Sequence, residues 1–483
     1  AIEYGYEDIV HQLLLFKADV NTKRENNITA LMTAVICGHT SIAKTLIRLG
    51  ADVNMSDVRR RSSLIHTVER NDIELARLLI DAKADVNICD RRHPAKVDHI
   101  HNDLVMAPES TWSLQPAYLG SGSPLICAAA AGNVDMVRLL IDAHANVDKA
   151  NELGATALIW AAANCHTAVA HVLIDAKAEV KICDGVMTPL MASTLRGRSD
   201  TTAALLEARA AVNAQGTAHR TAFCFAAHFG NAASLQLLID ARASLTHKAS
   251  DGMDALTRAT AGRHYDVMQV LIAAKADLDG GVWAPDYKPG DEDHPTPLRR
   301  AVRNNDERAV RILLEAKADL GPYCSHTAPL CDAIEHNHAN IVKLLLDAKA
   351  DFDCDEEGPN HLLLATQNNQ LAVMKLLIRA KASLEPDLPV EESSYDPNTC
   401  PLLVAIKNSN IAAVQMLIDA KASVECPYQV EDCEDDGDVG ILTYLLTCSR
   451  FRPKNEATFR EVVRLLAKAG ANIDVLFHPD FET

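Results

Sequence analysis

Apolar residues return along this chain in two alternating short blocks. One reads LLIDAKADVN at 78–87 and recurs as VLIDAKAEVK at 172–181, LLIDARASLT at 237–246, VLIAAKADLD at 270–279, LLLDAKADFD at 344–353 and MLIDAKASVE at 416–425. The apolar residue near its end falls at Val20, Val53, Val86, Val147, Val180, Val212, Leu245, Leu278, Leu320, Phe352, Leu384, Val424 and Ile473, at a spacing that is nearly constant over most of the chain. The other block closes on a small residue 19 positions before each marker from Val53 to Val424: SPLICA at 123–128, TALIWA at 156–161, TPLMAS at 188–193 and TPLRRA at 296–301. Each block predicts a short helix. In the copy at 123–147, Ser123 is placed to cap the first helix and Pro124 suits its first turn. Leu125, Ala128 and Ala129 then share one face, and the alanines let neighbouring helices approach closely. After the turn at Gly132-Asn133, Val137, Leu139, Leu140 and Ile141 supply the apolar positions of a second helix. Helices this short do not persist alone, so each pair must be buried by the next copy. The expected fold is an all-α solenoid of about thirteen helix-turn-helix repeats with finger loops, one domain over 1–483 whose first repeat is incomplete.

The second block resembles T-P-L-H-x-A, the signature of ankyrin repeats, whose period of about 33 residues the markers also keep. Thirteen units in register make the resemblance specific over nearly the whole chain. It departs from the family in two ways. The fourth-position histidine is replaced by Met32, Ile65, Ile126, Ile159, Met191 and equivalents, so apolar packing should replace its polar contact. The glycine in the left-handed position after the second helix survives as Gly50 and Gly470; elsewhere it is Lys83, His144, Lys177, Arg209, Lys275, Lys317, Lys349, Lys381 and Lys421. A side chain there costs on the order of 1 kcal/mol, partly offset by a cation at the negative helix end. At the start of the chain, Tyr4-Gly5-Tyr6 stands where a first helix gives way to its turn, so sequence upstream of Ala1 is expected.

Composition narrows the class. Only 4% of residues are aromatic, which suits packed helices better than sheets. The 13 cysteines form no C-x-x-C pair, pointing to a reducing intracellular, cytoplasmic setting and neither a disulfide framework nor a zinc ribbon. No stretch is long and apolar enough to insert in a membrane, and a net charge of -18 disfavours nucleic acid. The register is interrupted by insertions at 89–122, 280–294, 385–399, 425–439 and 447–458. The first four fall at the finger connections and should emerge along one edge. Segments 280–294, 385–399 and 425–439 together hold fifteen of the eighteen net negative charges, whereas Arg59, Arg60, Arg61, Arg91 and Arg92 make the N-terminal fingers basic. A partner protein with a basic segment would be steered to the acidic C-terminal fingers; the alternative is that these loops are only solvated.

Candidate chemistry is sparse. Cys89, His93, His99 and His101 lie close together, but their spacing matches no established zinc site. Asp432, Glu434, Asp436 and Asp438 begin like a calcium loop, yet Thr443 stands where the closing glutamate belongs. No metal or cofactor is therefore assigned. Nucleophile elbows, H-E-x-x-H and phosphate-binding glycine loops are absent, so no catalytic residue is nominated and the chain reads as a non-enzyme. His39, His166 and His338 fall at the Gly-His turn, where a structural role is the ordinary one.

The resemblance implies binding through the fingers and the concave face of the first helices. The informative positions are the fifth of each signature and those just after it: Trp160, then Leu195 and Arg196, then Phe225, His228 and Phe229, then Arg258, then Arg300 and Arg303. Aromatic and arginine side chains are enriched at interface hot spots, which predicts an aromatic centre with an arginine flank across repeats five to nine. The alternative is that Trp160 and Phe225 fill gaps between repeats. Asn21, Asn54 and Asn87, each after Asp-Val and eight residues beyond a leucine, resemble ankyrin asparagines that are hydroxylated, though consensus turn chemistry explains them too. The function expected is a scaffold for partner proteins; a structural subunit of a larger assembly, or the ankyrin region of a longer enzyme or channel, are the alternatives.

Overall fold

The computed structural model describes residues 1–89, 122–152, 154–183, 187–280, 296–320, 328–350, 360–384, 400–424, 441, 442, 445 and 455–471. Among these residues there are twenty-four α-helices and no strand. They divide into two compact units, Ala1–Asp277 and Leu278–Thr483. In the first, helix pairs run from Ala30–Cys37 with Thr40–Arg48 to Ala255–Ala261 with Tyr265–Ala273; in the second, from Pro297–Arg303 with Glu307–Glu315 to Pro401–Lys407 with Ile411–Asp419. Within each unit every first helix packs against its own second helix and against the first helices of neighbouring repeats.

The local reasons are the ones expected. Ser123 accepts from the Ile126 N–H at 3.4 Å, and Thr29, Ser62, Thr188, Thr221, Asp254, Thr296 and Asn360 cap their helices in the same way. The residues replacing the signature histidine are core: Met32, Ile65, Ile126, Ile159 and Met191 are all at most 4% exposed. The second helices contribute a leucine line, Leu46, Leu79, Leu140, Leu173, Leu205, Leu238 and Leu271 in the first unit and Leu313, Leu345, Leu377 and Leu417 in the second, none above 1% exposed.

The glycine-less turns keep the left-handed backbone. Lys83, His144, Lys177, Arg209, Lys275, Lys317, Lys349, Lys381 and Lys421 all have φ between 59° and 70°, and Arg242 and Lys17 join them. At the other turn, between the two helices, close approach decides the residue. A Cβ on Gly132, at φ 76°, would lie 2.6 Å from the imidazole Nδ1 of His166 in the next repeat. That imidazole reaches back to the Ala130 carbonyl at 3.1 Å, and His264 does the same to His228 at 2.8 Å. The Gly-His position is thus a staple between repeats. Gly5, also left-handed, faces His39 in the same manner and so occupies the expected turn.

Fingers are linked by asparagine. The Oδ1 atoms of Asn21, Asn54 and Asn87 accept the N–H of Asp52, Asp85 and Asn146 at 2.8, 2.6 and 2.8 Å. Asn87 and Asn146 stand on either side of the insertion at 89–122, so the stack passes from the third repeat to the fourth without a break in this ladder. The insertions at 89–122, 280–294, 385–399 and 425–439, with their basic and acidic residues and the zinc and calcium candidates, lie outside the described residues except at a few flanking positions such as Cys89. In the stretch 447–458, the last helix already starts at Glu456 and runs to Lys468.

Candidate functional site

The first-helix face is defined by residues four beyond each cap, and in the unit Ala1–Asp277 these are Thr33, His66, Cys127, Trp160, Ala192, Phe225 and Arg258. Trp160, Phe225 and Arg258 are 5%, 3% and 4% exposed. Sequence reading nominated them as partner contacts, with gap-filling between repeats as the alternative for Trp160 and Phe225; in the structure all three side chains are buried. The indole Nε1 of Trp160 is buried with no hydrogen-bond partner, as is the Thr156 hydroxyl one turn earlier. The surface proper is carried by residues three and four further on. Leu195 is half-buried and Arg196 exposed. His228 and Phe229 are half-buried: the Phe225 and Phe229 rings lie 6.4 Å apart and nearly parallel, and His228 meets Phe229 edge-on at 4.9 Å.

Arg258 is anchored by a residue the sequence reading passed over. Its Nη2 donates to both oxygens of Asp251, at 2.5 and 2.7 Å, and Arg220 stands 3.5 Å from the same carboxylate. Burial works to raise the Asp251 carboxyl, but Arg258, the Met253 N–H and Arg220 together outweigh it and hold it below the usual range. Burial, reinforced by Arg258, pushes the Arg220 guanidinium down.

In the unit Leu278–Thr483 the row reads Arg300, Asp332, Leu364 and Val404. Arg300 and Arg303 are half-buried. Asp332, 2% exposed, accepts from Arg299 Nε at 2.7 Å and from Arg303 Nε at 3.0 Å. Burial, with repulsion from Arg303, lowers the Arg300 guanidinium. His336 and His338 stack 5.7 Å apart beside this clamp, and burial, then His336, pulls the His338 imidazole below its ordinary value. Arg299 and Asp332 were also missed as a pair. The available signal was the period itself, since opposite charges one period apart stand side by side in consecutive repeats.

Among the described residues no group of three or more histidine, cysteine or carboxylate side chains is placed to hold a metal ion, and no helix is long and apolar enough to cross a membrane. The described cysteines are free thiols. Cys331 and His361 meet at 3.2 Å in the second unit, and both are buried.

Stacked pairs of short antiparallel helices, closed by left-handed turns and joined by finger loops, define a helical-repeat solenoid. The family profile described as "Ankyrin repeats (3 copies)" matches residues 1–90, 108–184, 125–217, 190–279, 223–324, 282–355, 298–388 and 330–432, and the chain belongs to the ankyrin-repeat family. Among solved structures it is similar to the human ASB11 ankyrin repeat domain, at 18% identity and a TM-score of 0.38, over 57% of this chain and 95% of that one. No curated protein matches the sequence. Ankyrin repeats are generally protein–protein interaction modules and generally not enzymes.

Proposed function

We propose that the chain is a non-enzymatic scaffold that binds partner proteins through the first-helix face and fingers of its repeats. One observation carries this reading. Positions that build the stack hardly vary from repeat to repeat: the third signature residue is leucine at 31, 64, 125, 158, 190, 256, 298, 330, 362 and 402. The outer row of the same helices changes from step to step, from Ile36 and Glu69 through Leu195 and His228 to Arg303, Glu335 and Lys407, and these residues are half-buried or exposed. Uniform packing with a changing face is what a recognition surface on a repeat scaffold requires. Leu195, Arg196, His228 and Phe229 in the first unit, and Arg300 and Arg303 in the second, are the contacts this reading nominates. Phe225 stacks beside Phe229 from the buried row that also holds Trp160 and Arg258.

The test is quantitative capture of partners from the native source by the immobilised full chain. Arg196→Glu and Phe229→Ala should weaken the principal partner about tenfold, whereas Arg138→Glu, on an exposed second-helix site, should not. The reading is lost if Arg138→Glu alone weakens capture. The acidic fingers remain a proposed steering surface for a basic segment, checked by the salt dependence of the association rate. The alternative is a subunit within a larger assembly. A chain that elutes from native extract only in a stoichiometric complex would favour it.

A further inference from the structure

The turn between the two helices of repeat six departs from its neighbours. At the position where His166, Asn231 and His264 each reach a carbonyl of the preceding repeat, repeat six carries Arg198. Arg198 is exposed, as is Arg196 two residues earlier, and among the described residues neither guanidinium has an ion pair or a side-chain hydrogen bond. An arginine that replaces a staple without stapling leaves its charge to solvent. Burial pushes the half-buried Cys165 thiol of repeat five up, and Arg196 and Arg198 both act against it, so the two guanidiniums stand around one spot. The turns 162–166, 194–198, 228–231 and 261–264 carry no carboxylate. The nearest in sequence, Asp200, lies in the first turn of the following helix, Ser199–Glu207, without an ion pair to either arginine. This edge is therefore cationic although the net charge of the molecule is -18. Charges more than about 8 Å away are largely screened at physiological salt, so at contact the local guanidiniums decide.

The next turn supplies apolar surface. Asn231 donates through Nδ2 to the Thr194 carbonyl, and a Cβ on Gly197 would come within 2.6 Å of the Asn231 Oδ1, so the turn of repeat seven is seated directly against that of repeat six. Two residues before Asn231 comes Phe229, in the register position of Arg196, and His228 holds that of Leu195. Phe229 and His228 meet edge-on at 4.9 Å, and both are half-buried, as is Leu195. Two adjacent turns thus offer open guanidinium forks, which match carboxylate geometry, beside aromatic and aliphatic surface.

We propose that the turn edge of repeats six and seven binds an acidic segment of a partner protein, with carboxylates on Arg196 and Arg198 and an adjacent apolar side chain on Leu195, His228 and Phe229. This rests on reading the first-helix face as the partner-binding surface, and it adds Arg198 to the contacts. The segment is opposite in charge to the one expected at the acidic fingers.

The experiment measures fluorescence anisotropy of short labelled peptides with the full chain, one alternating Glu with Leu and the other Gln with Leu. The Glu peptide should bind about tenfold tighter than the Gln peptide. Arg196→Gln combined with Arg198→Gln should weaken the Glu peptide about tenfold and leave the Gln peptide unchanged, a split that loss of structure would not produce because it would weaken both. Phe229→Ala should weaken the two peptides alike. Three results would each overturn the inference: no binding of the Glu peptide, a Gln peptide bound as tightly, or a preference for Glu that survives removal of both guanidiniums. Should it fail while native partners are still captured and still weakened by Phe229→Ala, the scaffold reading stands without it.

Discussion

Each unit contains an aspartate held by two arginines, and the two clusters do different work. Asp332 sits in a first helix at 2% exposure and is gripped from the preceding repeat by Arg299 and Arg303, so it is a clamp between helices. Asp251 belongs to a finger, keeps 30% of its side-chain exposure, and joins one finger and one helix. The lesson is that a carboxylate in the next helix closes its arginines inside the stack, whereas one in a finger buries Arg258 but leaves Arg220 and itself partly open to water. Asp332→Asn breaks the comparison most sharply. It leaves Arg299, itself 8% exposed, as a buried cation without its carboxylate, and should lower the free energy of local opening of Pro297–Arg303 and Pro329–Glu335 by about 3 kcal/mol in native-state hydrogen exchange. Asp251→Asn should cost less, about 2 kcal/mol, because water still reaches Arg220 although Arg258, 4% exposed, loses its carboxylate. Equal costs would show that both clusters are structural.

Fingers and helices can be compared in the same way through the asparagine ladder. Asn54 accepts from the Asp85 N–H and donates to the Lys83 carbonyl at 3.1 Å, both in the next repeat. Asn54→Ala removes two hydrogen bonds at an exposed site, so a loss of about 1 kcal/mol is expected in urea unfolding, below that of Asp332→Asn. The same ladder explains why Asn21, Asn54 and Asn87 recur, whether or not they are modified.

A pH contrast is smaller again. The His338 imidazole is lowered by burial and by His336, so the folded second unit favours its neutral form. Its stabilisation is full above about pH 6.5, the ordinary imidazole value, and is lost as pH falls below that through the lower folded value. Unfolding followed from about pH 7.5 to 5 should show the second unit weakening, and His338→Gln should flatten that slope. The Arg220–Asp251–Arg258 cluster contains no imidazole, so the helix Ala255–Ala261 should respond less over the same range.

Register, caps and turn geometry were legible in the sequence because they are local or strictly periodic. Ser123, Pro124 and Gly132 announce a cap, a first turn and a left-handed turn within a few residues of one another. The replaced histidines were legible as core for the same reason, since Met32 and Ile65 hold a fixed place in the period. Burial was legible as one of two readings for Trp160 and Phe225 and not at all for Arg258, because it depends on what flanks them laterally, a full repeat away in each direction. Hot-spot residue types mark both interfaces and the gaps between repeats, and burial distinguishes them. Asp251 escaped notice because fingers vary in length and their carboxylates carry no register signal. The repeat period would have revealed Arg299 with Asp332, had charges been compared between copies.

The smallest effect tests what the two units share. Lys83 in the first and Lys349 in the second end their helices at φ 70° and 64°, with the same turn hydrogen bonds to the preceding helix. Glycine at either site removes the left-handed strain of a side chain, worth about 1 kcal/mol. It also gives up a cation at the helix C-terminus, worth about 0.3–1 kcal/mol, and enlarges the freedom of the unfolded chain. The terms nearly cancel, so Lys83→Gly and Lys349→Gly should each change stability by no more than about 0.5 kcal/mol, equally in both units. That near balance is how a repeat can carry lysine at a glycine position so many times over. A gain above about 1 kcal/mol at either site would mean that the cation contributes nothing, and the lysines would then need a reason outside folding.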